Sequence, residues 1–137
     1  MGRTKAREIA FQLLFQYEAQ KLPAKEVLSL YFDELAEKAI DNVSREYITT
    51  ILNGVEANLS YLDDKIEPNL RDWKKDRISR VALASLRLAI FEIDFMDDVP
   101  YGVAVDEAVS IAKRYEGEEC ANFVNGILGK FKTREKE

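Results

Sequence analysis

Histidine is absent from the 137 residues. That excludes a histidine general base, a histidine-containing triad and any imidazole metal ligand. Cysteine occurs once, at Cys120, which excludes an internal disulfide and a paired-cysteine zinc site. Membrane-length apolar runs are also missing. The longest nearly apolar stretch, Val81 to Phe91, carries Arg87 and falls short of the roughly 20 residues that a spanning helix needs. No charged segment followed by an apolar one opens the chain, so a secretory leader is not expected and a cytoplasmic location is. Neither GxGxxG nor GxxxxGK[ST] is present. The acidic pairs Asp63–Asp64, Asp97–Asp98 and Glu118–Glu119 lack the spacing of a calcium loop. Cys120 has no base to activate it and reads as a small packed residue. These absences point away from an enzyme and from any metal or cofactor.

What is present is helical. Hydrophobic residues make up 47% and charged residues 33%, the balance of a folded globular chain. Ala6, Ile9, Ala10, Leu13, Leu14 and Tyr17 recur at intervals of three and four, the apolar stripe of a helix, and Phe11 and Phe15 widen it. Pro23 marks a break before a second stripe of Val27, Leu28, Tyr31, Phe32 and Leu35. Asp41, Asn42 and Ser44 offer side-chain oxygens to cap a third helix. Its stripe runs Ile48, Ile51, Leu52, Val55, Leu59 and Leu62, with a break expected at Ser60 or Asp63 and a short helix ending near Pro68. Ile78 to Ile93 is apolar nearly all round, which predicts a helix buried on most sides, with Arg87 in an ion pair to Glu92 or to an acid of another helix. Val105, Ala108, Val109 and Ala112 form a further stripe, Gly117 ends it, and a last helix runs from Cys120 to Phe131. Sustained period-two alternation is missing. The fold class expected is all-α, about seven helices in a single domain over 1–137, with frayed residues at Met1–Thr4 and Thr133–Glu137.

Charge is unevenly spread. The net charge is −5, yet residues 1–7 hold Arg3, Lys5 and Arg7 and no acid. The remaining chain carries 17 basic against 25 acidic side chains. Cations at the start of a helix oppose its dipole by a few tenths of a kcal/mol, so their presence asks for a reason. Phosphate neutralisation supplies one and simple solubility another. Single-stranded RNA is held by basic grooves and by bases stacked on aromatic rings. Phe15, Tyr17, Trp73, Tyr101, Tyr115 and Phe123 are the candidate rings. Trp73 lies among Arg71, Lys74, Lys75 and Arg77 rather than on an apolar stripe. Gly126 and Gly129 form a GxxG inside a helical pattern, read as a close helix contact rather than a phosphate clamp.

The segment DVPYGVAVDEAVSIAKRYEGEECANFVNGIL, Asp98 to Leu128, resembles the C-terminal part of the bacterial NusB family of transcription antitermination factors. Its most specific piece is Phe123-Val-Asn-Gly-Ile-Leu128. Leu86-Arg-Leu-Ala-Ile-Phe-Glu92 resembles the family's LRLA-x-x-E helix, and Ala6 to Phe15 its first helix. The resemblance implies two packed three-helix units and binding of single-stranded boxA RNA from ribosomal RNA leaders. It implies a small-subunit ribosomal protein, NusE, as heterodimer partner, and assembly with other Nus factors on RNA polymerase. By the same resemblance Arg3, Lys5 and Arg7 are phosphate contacts, and Phe15, Asn122 and Phe123 belong to the RNA surface. Asn122 stands where relatives usually have Lys, and Phe15 where they often have Tyr. Glu119 and Ala82 fall on partner-facing positions, Ala82 replacing an acid that relatives often use toward NusE. A helical interaction module of the same fold without RNA affinity is the alternative, and the free protein is left open as a monomer or a homodimer.

Overall fold

Helix-forming stripes set the architecture, and at two places a single residue, Asn58 or Gly117, parts one helix from the next. The computed structural model describes residues 1–34, 40–70 and 78–131. Among these residues there are seven α-helices and no strand: α1 (Arg3–Gln20), α2 (Ala24–Glu34), α3 (Asn42–Ala57), α4 (Leu59–Ile66), α5 (Arg80–Phe95), α6 (Tyr101–Glu116) and α7 (Glu118–Leu128). One 3-10 turn, Glu67–Asn69, follows α4. Leu35, Trp73 with its basic neighbours from Arg71 to Arg77, and the tail from Thr133 lie outside the described residues. The chain divides into two units, Met1–Asn58 and Leu59–Glu137. The first contains α1–α3; the second contains α5–α7 with the short α4 added.

In the first unit, α1 buries Ala6, Ile9, Ala10, Phe11, Leu13 and Leu14, while Phe15 and Tyr17 are half-buried at its edge. They face Tyr47, Ile48, Ile51, Leu52 and Val55 of α3, and α2 packs on both helices. Each fully buried aliphatic side chain contributes about 1.5–3 kcal/mol. Pro23 starts α2 from just outside, its carbonyl accepting from the N–H groups of Glu26 at 3.0 Å and Val27 at 3.1 Å. The Ala24 N–H donates to Glu56 at 2.8 Å, joining the start of α2 to α3. Asp41 caps α3 by accepting from the Ser44 N–H at 2.8 Å.

Met1–Thr4, expected to fray, is held. The Met1 ammonium lies 2.6 Å from the Asp41 carboxylate, the Ser44 hydroxyl reaches the Met1 carbonyl at 3.3 Å, and Gly2 is the residue before the first helical turn. The ammonium first, and then the hydrogen bonds from Ser44, hold the Asp41 carboxyl well below the usual carboxylate range. The third stripe also breaks earlier than expected. Asn58, not Ser60 or Asp63, ends α3, because its side-chain amide donates to the Gly54 carbonyl at 2.8 Å.

In the second unit, Ser79 caps α5, its hydroxyl accepting from the Ala82 N–H at 3.0 Å. Ala82 to Glu92 are buried without interruption, and α4, α6 and α7 all pack on this helix. Arg87 forms the anticipated ion pair with an acid of another helix: its Nε and Nη2 donate to the two oxygens of Asp63 on α4 at 3.0 and 2.9 Å. The Ser85 hydroxyl is buried with no hydrogen-bond partner among the described residues. α6 turns inward through Ala104, Val105, Ala108, Ile111 and Ala112, leaving Val109 half-buried. Gly117 joins α6 to α7 at φ 99° and ψ −177°, a conformation open in practice only to glycine. The Tyr101 hydroxyl donates to the Leu128 carbonyl at 2.8 Å, fastening the start of α6 to the end of α7.

Candidate nucleic-acid interface

The basic start of the first unit is organised around one ring. Tyr47 of α3 is buried, and the Arg3 guanidinium lies 4.3 Å from its centroid. Arg7, one turn further along α1, lies 5.8 Å from the same centroid and is only 2% exposed. A cation–π contact at an exposed site is worth about 0.5–1 kcal/mol, enough to offset the dipole cost of a cation in the first turn. The three basic residues therefore do not form one solvated comb. Arg3 and Lys5 are at the surface, and Arg7 is buried. Tyr47 carries no sequence signal beyond its helix stripe, because its partners precede it by some forty residues.

In the second unit, α7 has two contrasting faces. Cys120, Ala121, Val124, Ile127 and Leu128 are buried. Glu119, Asn122, Phe123 and Gly126, spaced by three and four, are exposed along one stripe. Phe123 is 39% exposed, so it is not a core ring. Of the other candidate rings described, Tyr115 is 40% exposed, whereas Phe15, Tyr17 and Tyr101 are half-buried. Among the described residues Gly126 and Gly129 make no close helix contact: a Cβ at either position meets nothing within 4 Å, which runs against the expected packing role for this GxxG.

Phe123 and Glu119 line a groove of about 390 Å³ with Ile78, Ser79, Ala82, Glu116 and Cys120. Ala82, at 2% exposure, is part of its wall and brings no charge to it. The structure therefore gathers Phe123, Glu119 and Ala82 in one groove and sets Asn122 beside them on the same helix. Arg3, Lys5, Arg7 and Phe15 belong to the first unit. Burial first, and then the adjacent Glu116, push the Cys120 thiol up to about 11, so it is protonated and unreactive at neutral pH. Among the described residues no cluster of three acidic or thiol side chains is placed to hold a metal ion, and no helix is long and apolar enough to cross a membrane.

The NusB family model matches residues 4–133. A transcription antitermination protein NusB of Clostridium novyi is 43% identical over 129 residues, covering 94% of this chain and 96% of its own. The solved structure of NusB from T. maritima is 36% identical, with a TM-score of 0.86 over 100% of this chain and 92% of that one. A chain from the crystal structure of antitermination factors NusB and NusE in complex with dsRNA is 24% identical, with a TM-score of 0.85 over 96% of each chain, and speaks for the fold alone. With the family model matched over residues 4–133 and a relative 43% identical over 94% of this chain, this chain belongs to the NusB family.

Proposed function

We propose that this protein is a transcription antitermination factor that binds boxA-type single-stranded RNA of ribosomal RNA leaders together with NusE. The pair seeds a complex with other Nus factors on RNA polymerase in the cytoplasm. The observation that carries this reading is the match to the family from residue 4 to residue 133. Binding is the whole of the function: no bond is made or broken.

The geometry suggests how the work is divided. Arg3 and Lys5, exposed at the start of α1, meet phosphates, while Arg7 and Tyr47 hold that helix turn in position. Phe15 lies further along the same helix and offers a half-buried ring edge. Phe123 offers an exposed face to a base, and Asn122 offers amide hydrogen bonds beside it without a charge. Glu119 and the uncharged wall at Ala82 present the groove to the protein partner. A missing acid at Ala82 leaves that contact to shape and to Glu119.

Charge and stacking separate in one experiment. Titrating a boxA-type RNA and a scrambled RNA against the protein with NusE, at several salt concentrations, should show preference for the boxA-type strand. Neutralising Arg3 and Lys5 together should weaken both RNAs alike and flatten log K against log salt by about 0.7 for each phosphate no longer neutralised. Phe123→Ala should cost about 1–3 kcal/mol with little change in that slope. Equal affinity for the two RNAs would refute the reading and leave a helical interaction module.

A further inference from the structure

At the end of the second unit formed by α4 and the last turn of α5, two aromatic rings stand out from the surface. Tyr61 is 36% exposed and Phe95 is 44% exposed. They meet edge to face with centroids 5.3 Å apart, and Phe95 stacks on the buried Phe91 at 5.2 Å. The Tyr61 hydroxyl donates to Asp94 at 2.7 Å, and the Lys65 ammonium lies 5.2 Å from the Tyr61 centroid. Neighbouring rings and a hydrogen bond therefore hold both exposed rings in place before any ligand arrives. Ordered, exposed aromatics of this kind are what a partner finds cheapest to bind, since little side-chain freedom is left to lose.

The charges around the rings select the partner. Asp94 lies beside Phe95, and the turn that follows α5 carries exposed Asp97 and Asp98. Asp64 precedes Lys65 on α4. Within residues 61–66 and 91–98, the two stretches that carry the rings, these four carboxylates outnumber the one ammonium, a balance that disfavours a phosphate backbone. They suit a cation, and the open face of an aromatic ring is where a guanidinium stacks. We propose that the Tyr61–Phe95 surface is a docking site for an arginine-bearing segment of a protein partner. The arginine lies flat on Phe95 and its charge is met by Asp97 and Asp98. The site is independent of the groove beside Phe123 and does not rest on RNA binding.

The test uses the full chain, labelled with 15N, and a short probe peptide, acetyl-Gly-Arg-Gly-Arg-Gly-amide. Matched peptides with lysine or glutamate in place of arginine, and a short uridine oligonucleotide, complete the panel. The arginine peptide should shift the amides of Tyr61, Phe95, Asp97 and Asp98 in a saturable way and bind more tightly than the lysine peptide. The glutamate peptide and the oligonucleotide should leave those amides unmoved. Phe95→Leu keeps an apolar side chain but no ring face, and should weaken the arginine peptide by about 2–5-fold while the melting temperature stays close to that of the parent. Asp97→Asn with Asp98→Asn should weaken it further and reduce its salt dependence. The proposal is overturned if the arginine peptide produces no saturable shift at these residues, if Phe95→Leu binds it as well as the parent does, or if the oligonucleotide is the ligand that moves them.

Discussion

Arg87 offers the sharpest test of how the second unit is held together. Its side chain is 3% exposed, that of Asp63 is 12% exposed, and two N–H···O bonds of 3.0 and 2.9 Å run between them. Arg87→Met removes the cation and leaves a carboxylate in a site with almost no water. Breaking a buried pair from one side costs about 3–5 kcal/mol, because the remaining charge is desolvated and unpaired. Domains of this kind have about 5–15 kcal/mol in total, so the variant should be marginal. Replacing both partners is a different matter. Arg87→Met with Asp63→Leu removes both desolvation costs, and such exchanges are often neutral or stabilising by about 1–4 kcal/mol. Urea unfolding followed by circular dichroism gives the free energies, with the denaturant slope checking that the unfolded states match. A single variant destabilised by less than about 1 kcal/mol would refute the burial argument. A double variant as unstable as the single one would show that shape, not charge, governs the site.

Further expectations concern polar groups and glycines. Ser85→Ala removes a buried hydroxyl with no partner among the described residues and should be neutral or stabilising by about 1 kcal/mol in the same assay; a clear drop in stability would reveal a bond that the geometry does not show. Gly126→Ala should stabilise α7 by about 0.5–1 kcal/mol, since a Cβ there meets nothing, and calorimetry should register it as a higher melting temperature. The Asp41 carboxyl is held low in the folded chain, so its stabilisation is complete above the ordinary carboxylate range and is lost as pH falls through the lower folded value. Asp41→Asn keeps an acceptor for the Ser44 N–H but should flatten stability against pH in acid; an unchanged acid limb would remove Asp41 from the account.

The helices are legible in the sequence because their stripes are unambiguous and their boundaries rest on local chemistry. Pro23, Asp41 and Gly117 each end or start a helix within one turn of themselves, so sequence displays them, whereas the Ser79 cap lies inside the Ile78–Ile93 stretch read as helix. Asn58 is not legible, because any polar residue between Val55 and Leu62 fits the pattern, and only the amide's reach back to Gly54 singles it out. Arg87 shows the same limit from the other side. Its need for an acid follows from burial, but its bonds to Asp63 require the position of α4. At the candidate site, exposure of Phe123 cannot be read from an aromatic in a helical pattern, and Arg7 cannot be told from Arg3 until Tyr47 is placed. The open flank at Gly126 is hidden for a similar reason: sequence shows a small residue but not whether anything approaches it.

The unbroken burial of α5 from Ala82 to Glu92 has a consequence for how such proteins diverge. A residue enclosed on every side can be exchanged only if a neighbour changes with it, so drift along this helix is slow and correlated. The outer stripe of α7 and the turn after α5 are under no such restraint. Those surfaces can change one residue at a time while α5 stays nearly fixed. Likeness along α5 therefore says little about partners, and the proposed RNA and docking surfaces are better compared at Glu119, Asn122 and Phe95.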